Sequence, residues 1–497
     1  MRRPSLPAIA GLLAFLFHLA ANPHYGFFRD ELYFIICGFH PQWGYVDQPP
    51  VTPLLAAGSQ LFGHSLFLLR AVPAIFGGAS VYVACLLVLE LGGGKFAAIL
   101  TAIGATLSLV LAAFAMKAGP DMVGLWLWPL AVLYVARILR GGNPRLWLAA
   151  GAAIGFSLES KYTAIFFSLA LLIGLLLTPE RRILRSKWFG AGVALAVAIA
   201  LPNLIWQAVN GFPMWELLRA GQSGKNVSLS PLMYAVAQIL IANPLLALVW
   251  MCGLIWCFIT PRLRFLGYGY VLLIAMMIAT RAKHYYPADI YPALFAAGGV
   301  AIEAWTQRFR FLRPVLAAAA VLAGIVLLPY AEPVLPEQTF IAYNKTLGPK
   351  IGQSSMASER LKQNWMTQDW ADMHGWPELA AAVQSVYDSL PPRERAQAVA
   401  VGQNYGEASA IEFFSSVPVI SGHNQYYLWG TRGYSGNVVI DVGGDCGASS
   451  HIFRESKRAA TFMAPYVMPY EDYLPIMVCR GITKPLQQIW PAVKHYI

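Results

Sequence analysis

Residues 66–90 read LFLLRAVPAIFGGASVYVACLLVLE, with one charge near each end, Arg70 and Glu90, and none between. A run of about 20 mainly apolar residues is long enough to cross a bilayer as one helix. The stretch is too long and too apolar for the amphipathic helix of a soluble domain, so its solvent is lipid. Comparable runs lie near 6–22, 96–116, 122–139, 146–158, 163–178, 189–209, 233–259, 265–280, 289–305 and 313–331. With 66–90 they give eleven expected spans, of which 146–158 is the shortest.

Composition agrees. The 497 residues are 57% hydrophobic and only 12% charged, with a mean hydropathy of +0.52. A soluble domain carries about twice that share of charge. The charges also divide at residue 331. Residues 1–331 hold 23 Lys/Arg against 10 Asp/Glu, and residues 332–497 hold 13 against 15. The net charge of +11 therefore belongs to the apolar part. A nucleic-acid binder would gather such an excess on one face of a polar domain. Here it is spread between apolar runs, as topology signals are. No nucleic-acid partner is expected; the bilayer is.

The loops set the orientation. With the N-terminus cytoplasmic, fifteen of the 23 cations fall in inside segments and eight in outside ones. An odd number of spans then places residues 332–497 outside. Two domains are expected: a multi-span membrane domain, 1–331, and a periplasmic or extracellular soluble domain, 332–497. In the latter, 375–390 reads as a helix and 399–401, 417–420 and 438–441 as short strands, giving a small α/β unit. Tyr426-Tyr427-Leu428-Trp429 could stack on sugar, although aromatics more often pack a core. Cys446 and Cys479 both lie there and could pair in an oxidising compartment. No Cys/His spacing indicates zinc.

Acids are distributed the other way. Asp30, Glu31, Asp47, Asp121, Glu159, Glu216 and Asp289 fall at outside ends, and only Glu90, Glu180 and Glu303 at inside ends. Carboxylates near hydrocarbon are expensive and commonly functional, so these acids point to a polar chamber at the outer face.

The long first outside loop carries Phe27-Phe28-Arg29-Asp30-Glu31-Leu32-Tyr33 and Asp47-Gln48-Pro49-Pro50. Neighbours on a helix point about 100° apart, so only one of Asp30 and Glu31 faces a given site. One placed carboxylate suffices to take a proton from an attacking hydroxyl; both would also serve as first-turn acids beside the helix dipole. Asp121 opens a span and is either a second chamber carboxylate or another N-terminal acid. Glu159-Ser160-Lys161-Tyr162 reads most simply as a surface Glu–Lys turn. Residues 281–292 gather Arg281, Lys283, His284, Tyr285, Tyr286 and Asp289. Cations at an outside interface run against the topology trend and suit a lipid-linked phosphate. The loop at 210–232, with Gly211, Pro213, Gly221, Gly224 and Asn226, has the composition of a mobile lid or of a slack connector.

These motifs, in this order, resemble bacterial glycosyltransferase family 39, the dolichyl-phosphate-mannose protein mannosyltransferase-like proteins related to aminoarabinose lipid A transferases. The resemblance covers nearly the whole chain and extends to Asn210-Gly211-Phe212-Pro213, Lys283-His284-Tyr285-Tyr286, Asn404-Tyr405-Gly406-Glu407-Ala408 and Ser421-Gly422-His423-Asn424. It implies a polytopic helical GT-C fold in a bacterial inner membrane. It also implies a sugar donor attached to polyprenyl phosphate and a lipid, glycan or protein acceptor. The implied catalytic set is Asp30, Glu31 and Asp121, with Asp30 as base. Lys283, Arg281 and His284 would hold the donor phosphate, and Asp47, Gln48, Lys161, Tyr285 and Tyr286 would line the substrate. The aminoarabinose branch carries a phosphate-binding lysine where this chain has Gln48, which counts against that particular activity. A nucleotide-free donor removes the usual need for a pyrophosphate-binding metal. No cofactor is expected, although the chemistry tolerates a divalent ion. The rival class is a transporter or flippase of lipid-linked sugars. Transporters often carry internal repeats and midmembrane polar residues; here no repeat is visible and the acids sit at span ends.

Overall fold

The computed structural model describes residues 5–223, 227, 229–351 and 365–497. It is mainly helical, and sixteen α-helices precede residue 331. They are α1 Leu6–Ala21, α2 Arg29–Phe39, α3 Val51–Gly58, α4 Leu66–Glu90, α5 Lys95–Leu107, α6 Leu109–Met116, α7 Asp121–Leu139 and α8 Leu146–Leu158. There follow α9 Ala164–Leu176, α10 Lys187–Val209, α11 Pro213–Ser223, α12 Pro231–Ile241, α13 Pro244–Ile259, α14 Arg264–Ala279, α15 Tyr291–Trp305 and α16 Leu312–Leu327.

Each expected span is helical, but two of them, 96–116 and 233–259, are broken. Among the described residues, five helices are long and apolar enough to cross a membrane, or up to eight if each of three bent helix pairs is one span. The run expected as one span at 233–259 is broken: α12 and α13 meet at 109°. The cause is local. Asn243 adopts a left-handed φ of 74° and caps α13 by accepting the Leu245 N–H, and Pro244 follows with no N–H of its own to continue α12. The α5–α6 pair bends by 63° at Ser108. Many of the exposed side chains on α1, α10, α13 and α16 are Leu, Ile or Val. An apolar outer face of that kind is solvated by lipid rather than water.

The helices α2 and α3 belong to the first long loop. α2 packs against the later helix Tyr405–Phe414, and α3 packs against α2 and α4. The expected loop at 210–232 is partly helical (α11), while Gly224 and Asn226 lie outside the described residues.

The C-terminal domain is built on a five-stranded mixed sheet of order β2-β1-β3-β5-β4. The strands are β1 Ala398–Gly402, β2 Val419–Ile420, β3 Val438–Val442, β4 Phe453–Phe462 and β5 Leu474–Ile482. β1 pairs parallel with β2 and β3, and β5 pairs antiparallel with β3 and β4. Helices Trp376–Ser389 and Tyr405–Phe414 pack together beside it. The first three strands match the expected ones; β4 and β5 were not foreseen. Tyr426 is a core residue: it is 1% exposed and hydrogen-bonds Glu412.

Cys446 and Cys479 form a disulfide that ties the loop after β3 to β5. The bond encloses a loop of 33 residues, and closing a loop of that size removes denatured-state entropy. Asp441 lies against the same two cysteines, but their sulfurs are bonded to each other and do not offer metal ligands. Replacing both cysteines with alanine is expected to lower stability by about 2–5 kcal/mol. Denaturant unfolding followed by exposure of the domain to protease would measure it.

Candidate active site

The N-terminus of α2 sets the geometry. Its cap residue is Phe28, whose side chain offers no acceptor. Glu31 supplies one by reaching back, and Oε2 accepts the Phe28 N–H at 2.8 Å. The same carboxylate accepts the Ala118 N–H at 2.9 Å and takes Arg70 as a fork, Nε at 3.2 Å and Nη2 at 3.1 Å. Arg70 spends its other donors on the carbonyls of Asn22, His24 and Gly26, at 2.7–2.9 Å. Both side chains are fully buried. Glu31, expected in the catalytic set, has no exposed surface from which to meet a substrate. Its carboxylate is committed to the ion pair.

Asp30 points elsewhere. Its side chain is 35% exposed, and Oδ1 accepts a hydrogen bond from the Tyr405 hydroxyl at 2.7 Å and from Arg29 Nε at 3.4 Å. Tyr405 lies 375 positions further along the chain, so two distant segments build this position together. The Tyr405 ring lies 4.7 Å from the Tyr33 ring, and Arg29 sits over its face at 5.4 Å. Gly406 is required by the close approach: a Cβ there would lie 2.4 Å from Arg29 Cγ. Tyr33 donates to Asp47 Oδ1 at 3.0 Å and accepts the Gln425 N–H at 3.1 Å.

A second cluster lies at the start of α7. Asp121 pairs with Lys161, whose ammonium sits over the Tyr286 ring at 4.2 Å and the Tyr285 ring at 5.2 Å. The surface Glu–Lys turn expected at 159–162 is not what forms. Glu159 is buried and Lys161 turns to Asp121, because that ion pair and two aromatic faces outweigh an exposed pair in water. Burial pushes the Glu159 carboxyl up to about 7. Asp289 is buried beside α7, where a Cβ on Gly124 would fall 2.1 Å from its Oδ2.

The two clusters are stitched together. Val51 N–H donates to the Glu159 carbonyl, Thr52 Oγ1 meets Ser160 Oγ at 2.9 Å, and Ser160 donates to the Pro120 carbonyl. The Asp47-Gln48-Pro49-Pro50 segment thus runs between them. Gln48 is 2% exposed, and neither of its side-chain polar atoms has a partner among the described residues.

In the 281–286 loop, Arg281 is exposed with a left-handed φ of 51°, and Lys283 is half-buried. His284 is buried, and burial with Lys283 beside it pushes its imidazole down to about 4. It is therefore neutral at pH 7 and offers a hydrogen bond rather than a charge.

Two members of this arrangement had no role assigned from the sequence: Arg70, and Tyr405, which figured only as part of a motif. Arg70 lies one turn inside an apolar run, which is itself the signal of a committed buried partner. Tyr405 opens a helix whose Asn404/Glu407 spacing is a capping box, and that box is formed. Behind it, Asn404 Nδ2 bridges Glu407 and Glu471 at 2.9 Å each. Burial, and for Glu407 the neighbouring Glu471, raises both carboxyls, Glu471 to about 7.

A family model, dolichyl-phosphate-mannose-protein mannosyltransferase, matches residues 47–206. No curated protein matches the chain. Among solved structures, ArnT from Cupriavidus metallidurans bound to undecaprenyl phosphate superposes with a TM-score of 0.60 at 15% identity. That match covers 96% of this chain and 98% of that one. The apo state of the same protein gives 0.61 at 14% identity, covering 95% and 97%. The fold is shared along both chains.

Two outcomes are expected. Glu31→Ala leaves Arg70 charged, buried and alone, and should cost about 3–5 kcal/mol, seen as loss of monodisperse protein in detergent. The raised Glu471 carboxyl keeps its proton in the folded state after the unfolded chain has released it. Stability should therefore fall as pH rises from the unfolded value of about 4.5 toward about 7, then level off. Glu471→Gln should flatten that slope in thermal melts taken across pH.

Proposed function

From the GT-C glycosyltransferase fold that the chain carries, we propose that it moves a sugar from a polyprenyl-phosphate donor to an acceptor hydroxyl. The reaction takes place at the outer face of a bacterial inner membrane, with the N-terminus cytoplasmic and the C-terminal domain outside. The observation that carries this is Asp30: an accessible carboxylate held by one oxygen, set among buried acids, cations and tyrosines where two domains meet. The family match over 47–206 and the ArnT-like fold support the donor class.

The step is a single displacement. Asp30 takes the proton of the acceptor hydroxyl, the acceptor oxygen bonds to the anomeric carbon, and the bond to the phosphate oxygen breaks with its electron pair. The leaving polyprenyl phosphate is already an anion, so cations suffice and no strong acid is needed. Lys283 and Arg281 are the assigned phosphate contacts, with His284 as a neutral hydrogen-bonding neighbour. Asp121 holds Lys161 against Tyr285 and Tyr286, which shapes the wall opposite. Attack from the far face inverts the anomeric centre, and no second nucleophilic carboxylate is required. Tyr405 fixes one Asp30 oxygen and leaves the other for the acceptor.

The test is release of polyprenyl phosphate by purified full-length protein given a panel of polyprenyl-phosphate sugars and membrane extract. Asp30→Asn should lower the rate by about 10²–10⁴ while donor still binds, and the product should show the inverted configuration by NMR. Sugar lipid crossing proteoliposome bilayers with no release from any donor would instead identify a transporter. Tyr405→Phe removes the hydrogen bond that aims the carboxylate and should lower the rate of release while donor still binds.

A further inference from the structure

We infer that the protein holds an anionic phospholipid at the end of the helical bundle opposite the Asp30 chamber. The evidence is a cavity of about 650 Å³ lined by Leu86, Leu89, Glu90, Arg137, Arg140 and Leu146. Its position follows from two helices. α4 carries Arg70 at the chamber and Glu90 at the cavity, about 30 Å apart at 1.5 Å per residue. α7 carries Asp121 at the chamber and Arg137 at the cavity, about 24 Å along its axis. One hydrocarbon thickness therefore separates the two sites, and the cavity opens at the other leaflet.

The lining matches a phospholipid in two parts. Leu86, Leu89 and Leu146 form an apolar wall, and Leu89 is 48% exposed on the outer surface of the bundle. Beside them, Arg137 and Arg140 both turn to one carboxylate, Glu90, at 3.3 and 3.5 Å. Two guanidinium groups against one acid leave a positive charge at the level of the headgroups. An arginine fork suits a phosphodiester better than a lysine would. The backbone keeps the groove open: α7 ends at Gly141, whose φ of 88° turns the chain, and Gly142 N–H closes the turn onto the Arg137 carbonyl at 2.9 Å. A Cβ on Gly141 would meet nothing within 4 Å. Basic pockets between spanning helices are a general means of holding anionic headgroups. Acyl chain on the leucines and phosphodiester on the arginines is the occupancy that satisfies both halves of this lining. It is independent of which sugar or acceptor the chamber takes.

The experiment uses delipidated full-length protein in a zwitterionic detergent. Thermal stability is followed while phosphatidylglycerol, phosphatidylcholine or inorganic phosphate is added at equal phosphate. Phosphatidylglycerol should raise the melting temperature saturably, and phosphatidylcholine and inorganic phosphate should not. Arg137→Gln/Arg140→Gln should weaken the apparent affinity by about tenfold or more. Arg181→Gln/Arg182→Gln, which removes equal charge from residues that do not line the cavity, should not weaken it. If the first double variant does not fold, Leu89→Trp, which fills the groove and keeps both guanidinium groups, should give the same loss. Equal shifts from phosphatidylcholine, an effect reproduced by inorganic phosphate alone, or retention of the phosphatidylglycerol shift in both Arg137→Gln/Arg140→Gln and Leu89→Trp would each overturn the lipid site.

Discussion

The candidate site depends on one buried ion pair. Glu31 and Arg70 meet with no water around either, and burying two charges is costly unless nearly every donor and acceptor is used. Here they are. The carboxylate takes Arg70 twice and two backbone N–H groups besides, and the guanidinium reaches three carbonyls of the 22–26 turn. One interaction thereby joins the end of α1, the start of α2, the body of α4 and the segment leading to Asp121. A hydrophobic pair of equal volume could pack as well. It could not cap α2 or hold the 22–26 turn, so the charges determine where the next residue along, Asp30, points.

The C-terminal part of the chain, which carries the sheet, closes the same arrangement. Tyr405 holds Asp30, Gln425 joins Val46 and Tyr33, and Arg29 reaches both Tyr470 and Asp372. Phe27 packs edge-on against Phe413 and Phe414. These contacts come from segments more than 300 positions away in sequence. A domain that only decorated the membrane part would not need to supply a hydrogen bond to its most accessible buried-rim carboxylate. The paired Glu407 and Glu471 sit just behind, both bonded to Asn404, which caps the helix bearing Tyr405.

What could be read in advance follows from range. Apolar runs are local, and the helices fall where the runs do. Direction is not local: nothing in the hydropathy of 233–259 shows a turn of 109°, although Asn243-Pro244 is the chemistry that makes one. β1 and β3 are short apolar strands inside the sheet, β2 is a short buried strand at its edge, and all three were legible. β4 is an edge strand whose residues Arg454 to Ala459 are exposed and largely charged, with no buried alternation to give a period. β5 was missed with the partner that would have identified it. Asp30 was legible from its motif, but its division of labour with Glu31 required Arg70, and the Lys161 pairing required Asp121 from another helix.

The adjacent acids show why motif and structure carry different information. Asp30 and Glu31 share charge, helix and loop, and differ by one step of about 100°. That step takes one carboxylate into a dry cage of fixed donors and leaves the other at a wet rim with a single strong hydrogen bond. In the proposed mechanism the base must exchange its proton with substrate, and of the two acids Asp30 alone has exposed surface from which to do so. The buried one is equally necessary, because a carboxylate that aims the base must not itself move. Two neighbouring acids at such a position are therefore one device, with orientation assigned to the residue that gives up its access to water.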